Sequence, residues 1–298
     1  MPFPNHWAST RPQPTPARLR RVRCAVVGHV EWIRFVRVDH VPAPGEIVHA
    51  LEVWEEPGGG GAVAAVQLAK LAGEATFYTA LGDDELGRRC KEELERLGVR
   101  VEATFRPEPQ RHGFVYVDAA GERTITVIGP RLGPSGDDPL PWQELETVDS
   151  VYTTAGDPGA LHAARTARVL VGTARDLPAL RDAAVELDAL VSSSRDAGER
   201  YEPGQLDPPP RLVLRTASAA GGAYETSDGT TGSWQAAPLP GPVADAYGCG
   251  DSFAAGFTYG LGAGPSIDEA LDLGARCGAA CLTGKGPYEA QLKINHDP

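Results

Sequence analysis

No apolar stretch of the 298-residue chain reaches membrane-spanning length, which argues against an integral membrane protein. No Lys/Arg block follows residue 23, and the formal net charge is −12. A nucleic-acid surface is therefore not expected. The five cysteines, Cys24, Cys90, Cys249, Cys277 and Cys281, form no CxxC pair or disulfide spacing. An odd count points to free thiols in a reducing compartment, and the expected location is the cytoplasm. Cys277 and Cys281 share a helix face with no His nearby, so they read as small core residues rather than metal ligands. There is no Gly-x4-Gly-Lys-Ser/Thr loop, no Gly-x-Ser-x-Gly elbow, no His-Glu-x-x-His and no dinucleotide fingerprint after the first strand. These absences argue against P-loop NTPases, α/β-hydrolases, zincins and nicotinamide enzymes. Residues 1–21 are rich in Pro and Arg and lack an apolar h-region. They read as a disordered lead-in rather than a secretory signal.

What is present is a chain 42% hydrophobic, enough for one large buried core. Short apolar runs alternate with helical patterns: strands near Arg23–Gly28, Thr76–Gly82, Ser150–Thr154, Val169–Thr173, Ala189–Ser192 and Leu212–Thr216, with helices between them. That order implies an α/β fold with a mostly parallel sheet and helices on both faces. The short strands of about 32–55 and 100–128 break the alternation and suggest a small separate sheet.

The most informative segment runs Asp245-Ala246-Tyr247-Gly248-Cys249-Gly250-Asp251 into an apolar, small-residue helix. Gly248 and Gly250 allow a tight turn, and the helix adds unpaired N–H groups and the positive end of its dipole. Together they make a seat for an anion, commonly a phosphate. A carboxylate at the lip of such a seat repels phosphate, so Asp251 reads either as a proton acceptor for a hydroxyl or as an ordinary N-cap. Cys249, at the same helix start, is expected to be the most reactive of the five thiols.

This segment resembles the second signature of the ribokinase-like (PfkB) family of carbohydrate and nucleoside kinases, Asp-Thr-x-Gly-Ala-Gly-Asp, with Ala246 and Cys249 as departures. The resemblance extends from about Val22 over nearly the whole chain. It includes Gly82-Asp83-Asp84-Glu85-Leu86-Gly87 and Gly121-Glu122-Arg123-Thr124. The Gly58–Gly61 run matches the first signature, a Gly turn against the phosphate acceptor. The resemblance implies a ribokinase-like doubly wound kinase domain over 22–298, with the small sheet serving as a lid and as a possible homodimer contact. It makes Asp251 the catalytic base and Gly248, Cys249 and Gly250 the anion hole. Gly58 and Gly59 then lie on the acceptor, and Ser218 and Gly221 in the nucleotide loop. Asp196 sits where the family's acid orders magnesium-bound water; a helix N-cap would look the same. The position near Gly28 that usually holds a substrate-binding Asp is Ile33, and the usual Asn of the first helix is Val63. Glu31 is the nearest carboxylate, and it reads either as a polyol contact or as a solvated loop charge. Tyr288 is a candidate for the adenine side.

The implied function is ATP-dependent and Mg2+-dependent transfer of a γ-phosphate to a hydroxyl of a sugar, nucleoside or related small alcohol. The alternative is a relative of little or no activity that binds a nucleotide or metabolite as a sensor.

Overall fold

The computed structural model describes residues 22–264 and 266–294; the expected lead-in at 1–21 lies outside them. Along the chain run β1 (Cys24–Val27), β2 (Glu31–Arg37), β3 (Glu52–Gly58), α1 (Gly60–Ala72), β4 (Ala75–Gly82), α2 (Glu85–Arg96) and β5 (Val99–Arg106). Next come β6 (His112–Val117), β7 (Arg123–Ile128), β8 (Ser150–Thr153), α3 (Pro158–Arg165), β9 (Val169–Thr173), α4 (Leu177–Ala183) and β10 (Ala189–Ser193). The chain closes with β11 (Leu212–Thr216), β12 (Gly222–Thr226), β13 (Thr231–Trp234), α5 (Cys249–Ala263) and α6 (Ile267–Cys281).

Nine strands form one sheet in the order β13-β12-β11-β10-β9-β8-β1-β4-β5, parallel from β11 to β5 and antiparallel through β12 and β13. β1 lies wholly inside. Its Cys24 and Val26 join the core under α1, α5 and α6, while Ala25 and Val27 join the core under α3 and α4. Helices on both faces make such a strand apolar throughout, as its Cys-Ala-Val-Val sequence is. On the first face, α5 and α6 approach closely through small residues: a Cβ on Gly256 would stand 2.6 Å from Cys277 Sγ. The chain leaves β1 toward β4 on one side and has β8 on the other, so the strand order reverses at the carboxyl end of β1. In an open α/β sheet that crevice is where ligands bind.

The second sheet has the order β3-β2-β6-β7. Ile33 and Phe35 of β2 are buried on its inner face, and Phe35 stacks on Trp54 at 5.0 Å and meets Tyr247 edge-on. The separate small sheet is as expected, with one correction. Val99–Arg106 pairs in parallel with β4 along its whole length at the edge of the large sheet. The reason is the connection: β4, α2 and β5 form a strand–helix–strand crossover, and Val99 and Val101 are buried against the main core. Only the chain after Gln110 contributes β6 and β7 to the lid.

Candidate functional site

The site is built at the ends of β1 and β8. After β1, Gly28 packs so tightly on Thr154 that a Cβ would stand 2.2 Å from its hydroxyl. Thr154 Oγ1 also faces His29 Nδ1 at 3.3 Å. On the other side of this point the Gly58–Gly61 turn opens α1, and the Asp245–Gly250 turn opens α5.

The two turns are joined directly. The Gly59 N–H donates to Tyr247 Oη at 2.9 Å, and Tyr288 Oη donates to the Pro57 carbonyl at 2.8 Å. A Cβ on Gly60 would stand 2.6 Å from Asp251 Oδ1, so glycine is what lets the carboxylate lie against the α1 turn. Asp245 is fully buried and shapes the second turn by accepting from the N–H of Tyr247 at 2.8 Å and of Gly286 at 3.2 Å. Gly248 is the N-cap of α5 at φ 78°, a left-handed conformation that disfavours a side chain. The first intrahelical bond of α5 is donated by the Ser252 N–H to the Gly248 carbonyl. The N–H groups of Cys249, Gly250 and Asp251 thus precede the helical ladder, as at every helix start. In front of Gly250 there is open space.

Asp251 is half-buried on the first turn of α5. Burial, with a smaller contribution from Glu199, pushes its carboxyl up to about 7 against the pull of Arg123 and Arg175. The structure therefore brings Asp251, Gly248, Cys249, Gly250, Gly58 and Gly59 together. Glu31 belongs to the same cluster: Gly59 packs on its Cγ, and its carboxylate meets Arg111 Nε at 2.6 Å and His29 Nε2 at 3.8 Å. His29 is buried, and burial together with Arg131, Arg111 and Arg175 pushes it down to about 3, so it is neutral. Ile33 and Val63 present only apolar atoms, Ile33 to Gly58 and Val63 to Gly248.

The remaining sites lie around this cluster. Ser218 takes a positive φ of 53°, which accounts for the usefulness of a glycine there. Gly221 fits under the Trp234 carbonyl, where a Cβ would stand 2.0 Å away. Trp234 stacks on Phe253 of α5 at 5.5 Å, so the β11–β12 loop is anchored two residues beyond Asp251. Asp196 caps a short turn by accepting from the Gly198 N–H, and its other oxygen accepts from Arg175 Nη2 at 2.5 Å. Arg175 also binds Glu199. Both Asp196 oxygens are engaged, and among the described residues no group of three or more His, Cys, Asp or Glu could hold a metal.

Two expectations change. Tyr288 is buried beneath the α1 turn and offers no ring face to an adenine. Cys249 contacts Cys281, and the neighbouring thiol together with burial pushes it up, so the helix start does not make it a low-pKa thiol. Sequence reasoning also missed Arg111, Arg131 and Arg175. None lies in a recognisable motif; Arg111 and Arg131 are brought in by the lid strands.

An open α/β sheet with an anion-binding helix start, a carboxylate at its lip and a lid is the framework of a small-molecule phosphotransferase. The chain belongs to the pfkB family of carbohydrate kinases, whose description it matches over residues 22–171 and 160–294. It is 28% identical over 288 residues to the ATP-dependent ribose-1-phosphate kinase of Halopiger xanaduensis, covering 90% of this chain and 95% of that one. Among solved structures, it resembles a microbiome-derived acarbose kinase, with TM-score 0.75 and 22% identity over 92% of this chain and 96% of that one. A putative ribokinase from Agrobacterium tumefaciens gives TM-score 0.74 and 20% identity over 91% and 94%. Among the described residues no helix is long and apolar enough to cross a membrane.

Proposed function

We propose that the chain transfers the γ-phosphate of ATP to a hydroxyl of a sugar or related small alcohol, with Asp251 as the base. The observation that carries this reading is the meeting of three parts at one point: the Asp251 carboxylate, the free N–H groups at the start of α5, and the Gly58–Gly61 turn. In the reaction the acceptor's hydroxyl oxygen bonds to the γ-phosphorus as the bond to the β–γ bridging oxygen breaks. The hydroxyl proton passes to Asp251, and ADP leaves. The N–H groups of Cys249 and Gly250 stabilise charge on the transferring phosphoryl oxygens, where preorganised donors act most strongly. A carboxyl near 7 suits this role, since a base works best with a pKa close to the working pH. The loop holding Ser218 and Gly221 is the candidate nucleotide seat. ATP is taken as its magnesium complex, which is the substrate; Asp196 and Glu199 hold Arg175, and no step is assigned to a protein-bound metal.

A neutral or inactive binding role is the second reading, favoured by Ile33 and Val63 at positions usually polar in the family and by the engaged Asp196. ADP release, measured with a panel of sugars, sugar phosphates and nucleosides, separates the two. Turnover that disappears in Asp251→Asn supports the kinase; nucleotide binding without turnover on any acceptor supports the sensor. The five free thiols favour a reducing cytoplasm. Val53, Ile125 and Val127 are exposed apolar residues of the lid and favour a homodimer through it. Light scattering that finds only a monomer at micromolar concentration removes the dimer.

A further inference from the structure

We propose that the tip of the lid clasps the segment leading into the α5 turn, with Arg123 and Arg37 as positioning residues for the N–H donors of that turn. The inference rests on the kinase reading and adds residues to its reaction. It begins with the register of the small sheet. Arg37 of β2 lies opposite Val117 of β6, and Val117 lies opposite Arg123 of β7. Residues directly paired across strands share a face. Both arginines therefore stand on one face and at one level, beside the tip where the chain turns from β6 to β7.

The segment Val243–Ala246 lies against this tip. Arg123 Nη1 donates to the Ala246 carbonyl at 3.0 Å. The Ala246 N–H donates in turn to the Gly121 carbonyl at 3.0 Å. Arg37 approaches the Ala244 carbonyl with Nη1 at 3.4 Å and Nη2 at 3.5 Å. From the other side the Leu282 carbonyl, just past α6, accepts from the Ala244 N–H at 2.9 Å. The segment is thus held between the lid and the end of α6. The tip itself is tied down, because the Asp118 carboxylate accepts from the N–H groups of Ala120 and Glu122, both at 2.9 Å. Gly121 completes the fit. Its φ is 78°, and a Cβ would stand 3.0 Å from Val243 Cγ1 and 3.2 Å from the Ala244 carbonyl oxygen. Only glycine meets both demands without strain.

What this segment carries gives the clasp its meaning. Asp245 turns inward and shapes the second turn, and Tyr247 accepts from the Gly59 N–H. Tyr247 also meets Phe35 of the lid edge-on at 5.0 Å. The N–H groups of Cys249 and Gly250 follow directly. Such donors stabilise developing charge only when they are already in place, and a small misplacement of a reacting group is costly. Arg123 and Arg37 act through the Ala244 and Ala246 carbonyls, so they fix where the donors stand. Arg123 is exposed, and an exposed charged contact adds little to global stability. Its loss is therefore felt locally, in the turn.

Hydrogen exchange on the full chain, followed by mass spectrometry, tests the clasp without depending on turnover. In Arg123→Gln and in Gly121→Ala, amides of 244–252 should exchange roughly 3–10-fold faster than in the wild type, the scale of one hydrogen bond. Exchange in α3 should be unchanged. ADP-release kinetics supply the second readout. Arg123→Gln should lower kcat roughly tenfold, with KM for ATP and for the acceptor within about twofold, because the donors act on the transition state. Arg123→Lys, which keeps a cationic donor, should restore part of kcat. The control is Arg34→Gln, on the opposite face of β2 and bound to Glu55; it should change neither readout. Three outcomes overturn the proposal. The first is unchanged exchange of 244–252 in both Arg123→Gln and Gly121→Ala. The second is an equal loss in Arg34→Gln, which would mean general loosening of the lid. The third is a raised KM with kcat intact in Arg123→Gln, which would make Arg123 a binding residue. Turnover that requires Asp251 but ignores Arg123→Gln would remove this inference and keep the kinase. Faster exchange in the clasp variants, with no turnover of any acceptor by the wild type, would keep the clasp and remove the kinase.

Discussion

Replacing Asp251 by Asn tests the site through two readouts of opposite sign. Asn keeps the shape of the side chain and removes the ionisable proton acceptor. Phosphoryl transfer should fall by roughly 10²–10⁴-fold, the usual contribution of a positioned base. Stability should move the other way. The Asp251 carboxyl is raised from 3.8 to about 7, chiefly by burial. The folded protein therefore binds this proton more tightly than the unfolded chain does, and the resulting stability is complete below about pH 4 and lost as pH rises to about 7. A shift of about three units corresponds to at most about 4 kcal/mol at 1.36 kcal/mol per unit. The side chain is partly open to the cleft, and screening brings the expected figure to about 2 kcal/mol. For a domain of this size that is a rise of about 4 °C in Tm for Asp251→Asn at pH 8. At pH 4, where the folded Asp251 is protonated and about half of it is ionised in the unfolded chain, most of this difference should be gone. In the wild type, kcat/KM should climb about tenfold per pH unit up to roughly pH 7 and then level off. Differential scanning calorimetry at pH 4 and 8, with ADP-release kinetics from pH 5 to 9, makes both measurements. A variant within a few-fold of wild-type activity removes Asp251 as the base. Equal melting temperatures at pH 8 refute the argument that burial strains its charge.

Gly60→Ala places a methyl group 2.6 Å from Asp251 Oδ1; at least a tenfold loss of kcat is expected, because small misplacements of a reacting group are expensive, and full activity would show that the carboxylate does not work from this position. Tyr247→Phe leaves the buried Gly59 N–H without its acceptor and should cost about 1–3 kcal/mol, read as a lower Tm together with slower turnover. Cys249 is the most accessible of the five thiols, yet burial and Cys281 hold it protonated. Alkylation at pH 7.5 should therefore be more than tenfold slower than for a free cysteine and slower still with Mg-ATP present; mass-spectrometric mapping that shows fast, unprotected labelling would displace the nucleotide phosphates from this turn.

The parts of the site that were legible in the sequence are those made by local geometry. Gly248–Asp251 and Gly58–Gly61 each carry their turn, their helix start and their close approach within a few residues, so composition alone announces them. What the sequence does not display is the bond between them: the Gly59 N–H to Tyr247 Oη contact joins segments far apart in the chain. The strand Val99–Arg106 shows the limit for the fold. Its alternation suits an edge strand of either sheet, and only the crossover through α2 and the burial of Val99 and Val101 assign it to the large one. The hairpin β12–β13 is hard to read for a related reason: its Gly, Ala, Glu and Ser residues dilute the strand signal of Tyr224, Thr226, Thr231 and Trp234, and Trp234 is held by stacking on Phe253. The arginines went unseen because a cation's role depends on what it faces. Arg111 is an ordinary loop residue in the sequence, and only the fold sets it against Glu31. Motifs thus report the transfer chemistry, which is built from backbone turns. The side chains around them come from segments far apart in the chain, as Glu31 and Arg111 do, and no motif announces that meeting.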